Sequence, residues 1–152
     1  LSLRDFHSEN LIWLPERTGH ARLGLLDFQD AVAAHPAYDL ASLLQDARPD
    51  VPPAVEQAMI ARYILSRGLD HDRFAAIYAL LGAQRALRIV GVFARLARRD
   101  GKPHYLSLLP RVWTALERNL AHPALAGLAS AVHEGLPAPT PGRIAQLTER
   151  AG

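Results

Sequence analysis

The sequence predicts a mainly α-helical chain entered through one small β-hairpin. Three observations carry this. Aliphatic residues and Ala outnumber β-branched ones, which favours helix. Apolar residues recur at helical spacing through most of the chain beyond Pro36. Nearer the N-terminus, two short runs rich in Leu, Ile and Trp flank a turn at Thr18-Gly19 instead. At 152 residues the chain is long enough for one domain with a real core.

The two runs, residues 9–14 and 22–27, read as strands joined through Pro15 and Thr18-Gly19-His20. Centring the hairpin on Thr18-Gly19 sets Leu14 opposite Leu23, Ile12 opposite Leu25 and Asn10 opposite Asp27, with Trp13 over Gly24. Facing residues hold their Cβ atoms roughly 4.5–5.5 Å apart, so this register places Asn10 beside Asp27. Pro36 suits the first turn of a helix from Ala37 to about Ala47, with Leu40, Leu43 and Leu44 on one face. The Pro-rich stretch 48–53 ends it. A second helix closes at Gly68. Asp70 is placed to cap a third, from about His71 to Arg99, whose apolar face is Phe74, Ile77, Tyr78, Leu81, Ile89, Val90, Phe93 and Leu96. Asp100-Gly101 stops it. A fourth covers about His104 to Leu120, with Pro110 expected to kink it. His122-Pro123 opens a shorter helix. Gly135 to Pro141 forms a linker, and a last amphipathic helix follows from about Gly142 to Ala151.

Composition excludes several classes. There is no cysteine, so disulfides and thiolate metal sites are out and a reducing cytoplasm is compatible. The net charge of +2 is too mild for a nucleic-acid partner. Arg95, Arg98, Arg99 and Lys102 read as the solvated, dipole-complementing end of a helix. No uninterrupted apolar stretch is long enough for a membrane span, and no signal-peptide layout is visible. The chain opens at Leu1 inside a motif, without an initiator Met.

That motif is the chemical signal. Arg4-Asp5, then Asn10, then Asp27-Phe28-Gln29-Asp30 follow in order. Phosphoryl transfer from a metal-bound nucleotide needs a base for the acceptor hydroxyl and hard oxygen ligands for Mg²⁺, and the same order serves protein kinases. Asp5 is the candidate catalytic base, against the alternative of a loop Asp capping a turn. Asn10 and Asp27 are the candidate Mg²⁺ ligands, against a strand-entry hydrogen bond and a helix cap. Asp30 contacts acceptor or metal-bound water, or caps its loop, with equal weight. His7 touches substrate or bonds to backbone, the second being favoured. Asp39 is expected to be a structural carboxylate bonding back to the loop around Asp5. Gln84 and Arg85 line an acceptor pocket or, with Arg88, Arg95 and Arg99, form a solvated stripe; the stripe is favoured. Glu9, Trp13, Tyr105 and Trp113 are expected to pack.

These residues resemble a known family. Arg4-Asp5-Phe6-His7-Ser8-Glu9-Asn10, Leu26-Asp27-Phe28-Gln29-Asp30 and His35-Pro36-Ala37-Tyr38-Asp39-Leu40 look like the aminoglycoside phosphotransferase and choline kinase superfamily. Its pattern is H-G-D-x-H-x-x-N, then I-D-W/F-x-D, then D/H-P-x-Y-D-L. The stretch 95–106 and Arg111-Val112-Trp113 look more loosely like bacterial N-acetylmuramate and N-acetylglucosamine kinases, which act at the anomeric hydroxyl. The resemblance implies the helical C-terminal lobe of a protein-kinase-like fold over residues 1–152, ATP and Mg²⁺ as cofactors, and a small-molecule acceptor, a sugar or aminoglycoside-like. It implies Asp5 as base and Asn10 and Asp27 as metal ligands. It also implies a nucleotide-covering N-terminal lobe outside this chain, so residues 1–152 alone are expected to lack kinase activity. The usual His-Gly is Leu3-Arg4 here, closer to protein kinases. Alternatives are an aminoglycoside, choline-like or homoserine-like acceptor, and a degenerate kinase-fold binding module; the intact Asp5, Asn10 and Asp27 argue against the last.

Overall fold

The computed structural model describes residues 1–149. It is mainly helical with one small N-terminal hairpin, and it divides into two compact units, residues 1–71 and 72–152.

The first unit begins with a loop that ends in a 3₁₀ turn, Ser8–Asn10, and runs into strand β1, Leu11–Trp13. A second 3₁₀ turn, Gly19–Arg22, leads to β2, Leu23–Leu25, and the strands pair antiparallel. Their register is Leu11 opposite Leu25, Ile12 opposite Gly24 and Trp13 opposite Leu23. It is one residue away from the register expected from a turn centred on Thr18-Gly19, and both strands are shorter. The connection is not a tight turn. Leu14 N donates to Arg22 O at 2.8 Å, and Arg22 Nε reaches back to Arg17 O at 2.7 Å, so the loop's own bonds set the slip. Gly24 therefore lies under Ile12, where a Cβ would come within 3.3 Å of Leu14 Cδ1. Trp13 does not pack; it is exposed, with the Arg22 guanidinium 5.6 Å from its ring centroid.

Helix α1, Ala37–Leu44, starts on Pro36, a residue already set for the helical φ. It buries Ala37, Ala41, Ser42 and Leu44. It ends three residues earlier than its apolar pattern suggested. Helix α2, Pro53–Arg67, opens on the Pro pair and closes on Gly68, whose φ of 59° is left-handed. Gln45 Nε2 donates to the buried Glu56 carboxylate at 2.8 Å and ties the end of α1 to the start of α2.

The second unit is built on α3, His71–Asp100. Phe74, Tyr78 and Phe93 are buried as the spacing predicts. The rest of the buried seam is small: Ala79, Gly82, Ala83, Ala86 and Ala97. The larger Ile77, Leu81, Ile89, Val90 and Leu96 are half-buried. By length and composition α3 could cross a membrane, although its apolar run is interrupted, as the sequence indicates. It carries Arg85 and Arg88 mid-helix, and an Arg costs about 2.5–3.5 kcal/mol at the centre of a bilayer. A core helix of a globular unit passes the same test of length. Its exposed end bears Arg95, Arg98, Arg99 and Lys102 as expected, with Arg99 holding the Asp100 carboxyl below its ordinary range through a 2.6 Å hydrogen bond.

Gly101, at a φ of 62°, turns the chain into a 3₁₀ stretch, Pro103–Leu108, and then α4, Leu109–Leu120. Pro110 does not kink a longer helix; it sits in the first turn of α4, where its missing N–H costs nothing. Tyr105 packs on Phe93 with ring centroids 5.2 Å apart. His122 Nδ1 accepts from Ala124 N at 3.2 Å and starts a short 3₁₀ turn, Pro123–Leu125, before α5, Ala126–Gly135. Helix α6 covers Pro141–Glu149; the last residues of the expected helix lie outside the described residues.

Leu116 is fully buried on α4. Leu116→Ala is expected to lower unfolding free energy by about 2–5 kcal/mol, whereas Gly68→Ala, which strains one left-handed position in open space, is expected to cost about 1–2 kcal/mol. Urea denaturation checks both; equal losses would contradict the packing assigned to Leu116.

Candidate active site

Two loops carry the motif residues. Residues 2–10 hold Asp5, His7 and Asn10; residues 26–32 hold Asp27 and Asp30. Both pairs of loop ends are pinned together. At one end Ser2 and Val32 exchange backbone hydrogen bonds of 2.8 and 2.9 Å. At the other, Leu26 N donates to Asn10 O at 2.9 Å. The slipped register thus pairs Asn10 with Leu26 rather than Asp27, yet Asp27 is the next residue, at the mouth of the same hairpin. Loops tied at both ends run side by side whatever their own sequence.

Helix α1 lies under the first loop. The half-buried Asp39 carboxylate accepts from Ser2 Oγ at 2.7 Å, Leu3 N at 2.7 Å and Arg4 N at 3.0 Å. Ser42, one turn on, donates its hydroxyl to Arg4 O at 3.4 Å. Asp39 is the structural carboxylate expected from the sequence. It holds Arg4 in a left-handed conformation, φ 68°, and Asp27 is left-handed as well, φ 55°. Among the described residues these are the two non-glycine residues with positive φ. Such strain costs of order 1–3 kcal/mol per residue, survives only where surrounding bonds impose it, and gathers at functional sites. The Gly that usually stands at this position in the resembled family would adopt the left-handed conformation freely; here Asp39 and Ser42 impose it on Arg4.

Asp5 follows directly. Its main chain is used: Asp5 O accepts from His7 N at 3.1 Å and from Asn10 Nδ2 at 2.8 Å. Its side-chain carboxylate, half-exposed, has no hydrogen bond or ion pair among the described residues, so it caps nothing. Asn10 spends one amide hydrogen on Asp5 O; the other points to His7 Nε2, 3.4 Å away. With both hydrogens committed, its Oδ1 is the atom left for an incoming cation. His7 therefore bonds to a side chain, not to backbone as expected. If its Nε2 accepts, the ring proton sits on Nδ1, which is buried without a partner. A buried unpaired donor costs about 1–3 kcal/mol.

Asp27 does not cap a helix. Its Oδ1 accepts from Gln29 Nε2 at 2.6 Å, which orients the carboxylate in an exposed turn. Asp30 is exposed, and its carboxylate caps no loop amide among the described residues. Glu9 does not pack; it pairs with Arg48 at 3.1 Å. Sequence reasoning missed this pair, together with Asp46, because a mixed-charge turn and a helix-end Asp carry no motif. Gln84 and Arg85 belong to α3 in the second unit; Gln84 is exposed and Arg85 half-buried.

Among the described residues no group of three His, Cys, Asp or Glu forms a cation site by itself. Asn10 Oδ1 and the second Asp27 oxygen are hard donors of the kind taken by Mg²⁺, which uses one or two protein ligands and completes its shell with phosphate oxygens and water.

The site thus consists of two loops pinned at both ends, the first held on α1, with an Asp5 carboxylate that has no hydrogen bond or ion pair among the described residues. The sequence pattern of the phosphotransferase enzyme family matches residues 1–78, which take in every loop residue of this site, and the chain belongs to that family. It is 57% identical over 126 residues to the N-acetylmuramate/N-acetylglucosamine kinase of Caulobacter vibrioides, covering 82% of this chain and 35% of that protein. It is 36% identical over 139 residues to the enzyme of the same name from Pseudomonas putida, 86% of this chain and 40% of that protein. For the one from Neisseria meningitidis the figures are 37% over 122 residues, 76% and 35%. The chain thus spans little more than a third of the length of the curated relatives it matches.

Asp39→Asn replaces a carboxylate that accepts three hydrogen bonds. Bonds to charged groups contribute about 1.5–3 kcal/mol each and are not additive, so a loss above about 2 kcal/mol is expected. The amides of Leu3 and Arg4 should exchange faster with solvent by hydrogen-exchange NMR; unchanged exchange at both would show that Asp39 does not hold the loop.

Proposed function

We propose that this chain is the catalytic-loop lobe of a cytoplasmic, ATP-dependent kinase that phosphorylates an amino-sugar hydroxyl, with N-acetylmuramate or N-acetylglucosamine as acceptor. The observation that carries the reading is the Asp5 carboxylate. It is unpaired among the described residues and seated in a loop clamped by α1, with the Asn10 amide nitrogen donating to the Asp5 carbonyl and leaving Asn10 Oδ1 for a cation. The acceptor comes from the names of the relatives.

ATP with Mg²⁺ supplies the γ-phosphoryl group and neutralises the charge on it. Asp5 accepts the hydrogen bond of the acceptor hydroxyl, aims its oxygen along the line of displacement and takes its proton as the new O–P bond forms and the bond from the γ-phosphorus to the β–γ bridging oxygen breaks, releasing ADP. Asn10 offers Oδ1 and Asp27 its second carboxylate oxygen to the cation. Asp30 and His7 stand on the same loops as candidates for the acceptor side. The hairpin leaves Ile12, Trp13, Leu25, Leu26 and Phe28 exposed. Exposed apolar surface of this extent marks an interaction face, and we assign it to nucleotide and to the N-terminal lobe of a longer protein.

The complete protein is expected to release ADP when given Mg²⁺, ATP and either sugar; no turnover above background with both would sink the amino-sugar assignment. Asp5→Asn is expected to lower kcat by about 10²–10⁴-fold with an unchanged melting curve. Retained kcat would remove Asp5 from the chemistry.

A further inference from the structure

Asn10 belongs to a weak element. The Ser8–Asn10 turn is 3₁₀, has no side-chain cap at its start and buries none of its own residues. Single 3₁₀ turns have poor hydrogen-bond geometry, so something outside the turn must hold it still.

The structure supplies one such group. Asp46 lies two residues past the end of α1, and its side chain is 2% exposed. Its carboxylate takes the Arg48 guanidinium at 3.2 and 3.5 Å, Arg48 N at 3.2 Å and the Ser8 hydroxyl at 3.4 Å. Arg48 in turn forms an ion pair with Glu9, Nε to Oε2, at 3.1 Å. Ser8 and Glu9 are the two residues preceding Asn10. Asp46 therefore holds the turn twice, directly through Ser8 and through Arg48 by way of Glu9. A buried carboxylate is costly unless paired and fully bonded, and every bond recorded for Asp46 serves this turn or the Arg48 that grips it.

We propose that Asp46 is a positioning residue for the metal–nucleotide site: it fixes the turn that aims Asn10 Oδ1 and so sets the affinity for the divalent cation. The inference rests on the reading of Asn10 as a ligand. Mg²⁺ demands near-ideal octahedral geometry, so a neutral amide ligand contributes only when its oxygen is held in place. Asp39 secures the start of the catalytic loop and Asp46 its end. One carboxylate stands in the first turn of α1 and the other two residues past its last.

The test uses the complete protein, with Mn²⁺ as the probe and ADP present, and reads bound Mn²⁺ by electron paramagnetic resonance without turnover. Asp46→Asn keeps the shape and removes the charge; Mn²⁺ affinity is expected to fall about tenfold, the lower end of the loss seen when outer-shell partners of a metal site are removed. The Mg²⁺ concentration for half-maximal turnover should rise in step, with the KM for the acceptor unchanged. Unchanged Mn²⁺ affinity in a folded Asp46→Asn protein would overturn the inference while leaving the kinase reading intact. Failure of the wild-type protein to bind Mn²⁺ with ADP would overturn both. Should Asp46→Asn not fold, the double variant Ser8→Ala, Glu9→Gln removes the loop-side grip from the surface. It must show the same loss of Mn²⁺ affinity, and wild-type affinity there would equally refute the role of Asp46.

Discussion

The candidate site depends on one carboxylate that plays no part in the proposed chemistry. Asp39 accepts three hydrogen bonds from three successive residues, Ser2, Leu3 and Arg4, and this array gives the loop before Asp5 its conformation. The loop has little regular structure to satisfy its amides, and buried amides must be satisfied somewhere. Asp39 meets that need from the first turn of α1, where the helix dipole also favours negative charge. The left-handed Arg4 is a consequence: its N–H and its carbonyl are both held by α1, so the backbone between them has nowhere else to go. Asp5 is thereby aimed by a residue with which it shares no bond.

The pairing of loop ends explains why a wrong register still led to the right neighbourhood. The expected hairpin put Asn10 opposite Asp27; the observed one puts Asn10 opposite Leu26. Register is written in sequence when one face of a strand is apolar and the other polar. Leu11-Ile12-Trp13 and Leu23-Gly24-Leu25 are apolar on both faces, so a slip of one residue changes no burial pattern. The decision fell to bonds inside the connecting loop, from Arg22 to Leu14 and Arg17. Proximity of Asn10 to the Asp27 loop needed only the hairpin, while the residue that faces Asn10 needed the loop.

Helices were more legible than strands. Gly68 and Gly101 stop helices because only glycine takes the left-handed conformation at little cost, and Pro36 and Pro53 start them because their φ is already helical. Proline misled once. Within a long apolar pattern Pro110 suggests a kink, but the same residue is equally at home at a helix start, and the chain resolves the conflict by laying down a 3₁₀ stretch first. The seam of α3 was misjudged for a related reason. Periodicity favours large apolar residues, whereas five of the eight buried positions on α3 are Ala or Gly.

The sequence by itself determined the chemistry available: which residues can act as base or hard ligand, in what order, and that a hairpin returns one group toward the others. Residue type and spacing are enough for that, because proton acceptance and cation binding are properties of single side chains. Tertiary structure decided what each of those side chains is free to do. Among the described residues it left the Asp5 carboxylate unpaired, turned the Asn10 amide nitrogen to Asp5 and His7, and made Glu9 an ion-pair partner of the Arg48 that Asp46 holds. Availability of a functional group is settled by which neighbours compete for it, and those neighbours arrive from distant parts of the chain only when it folds.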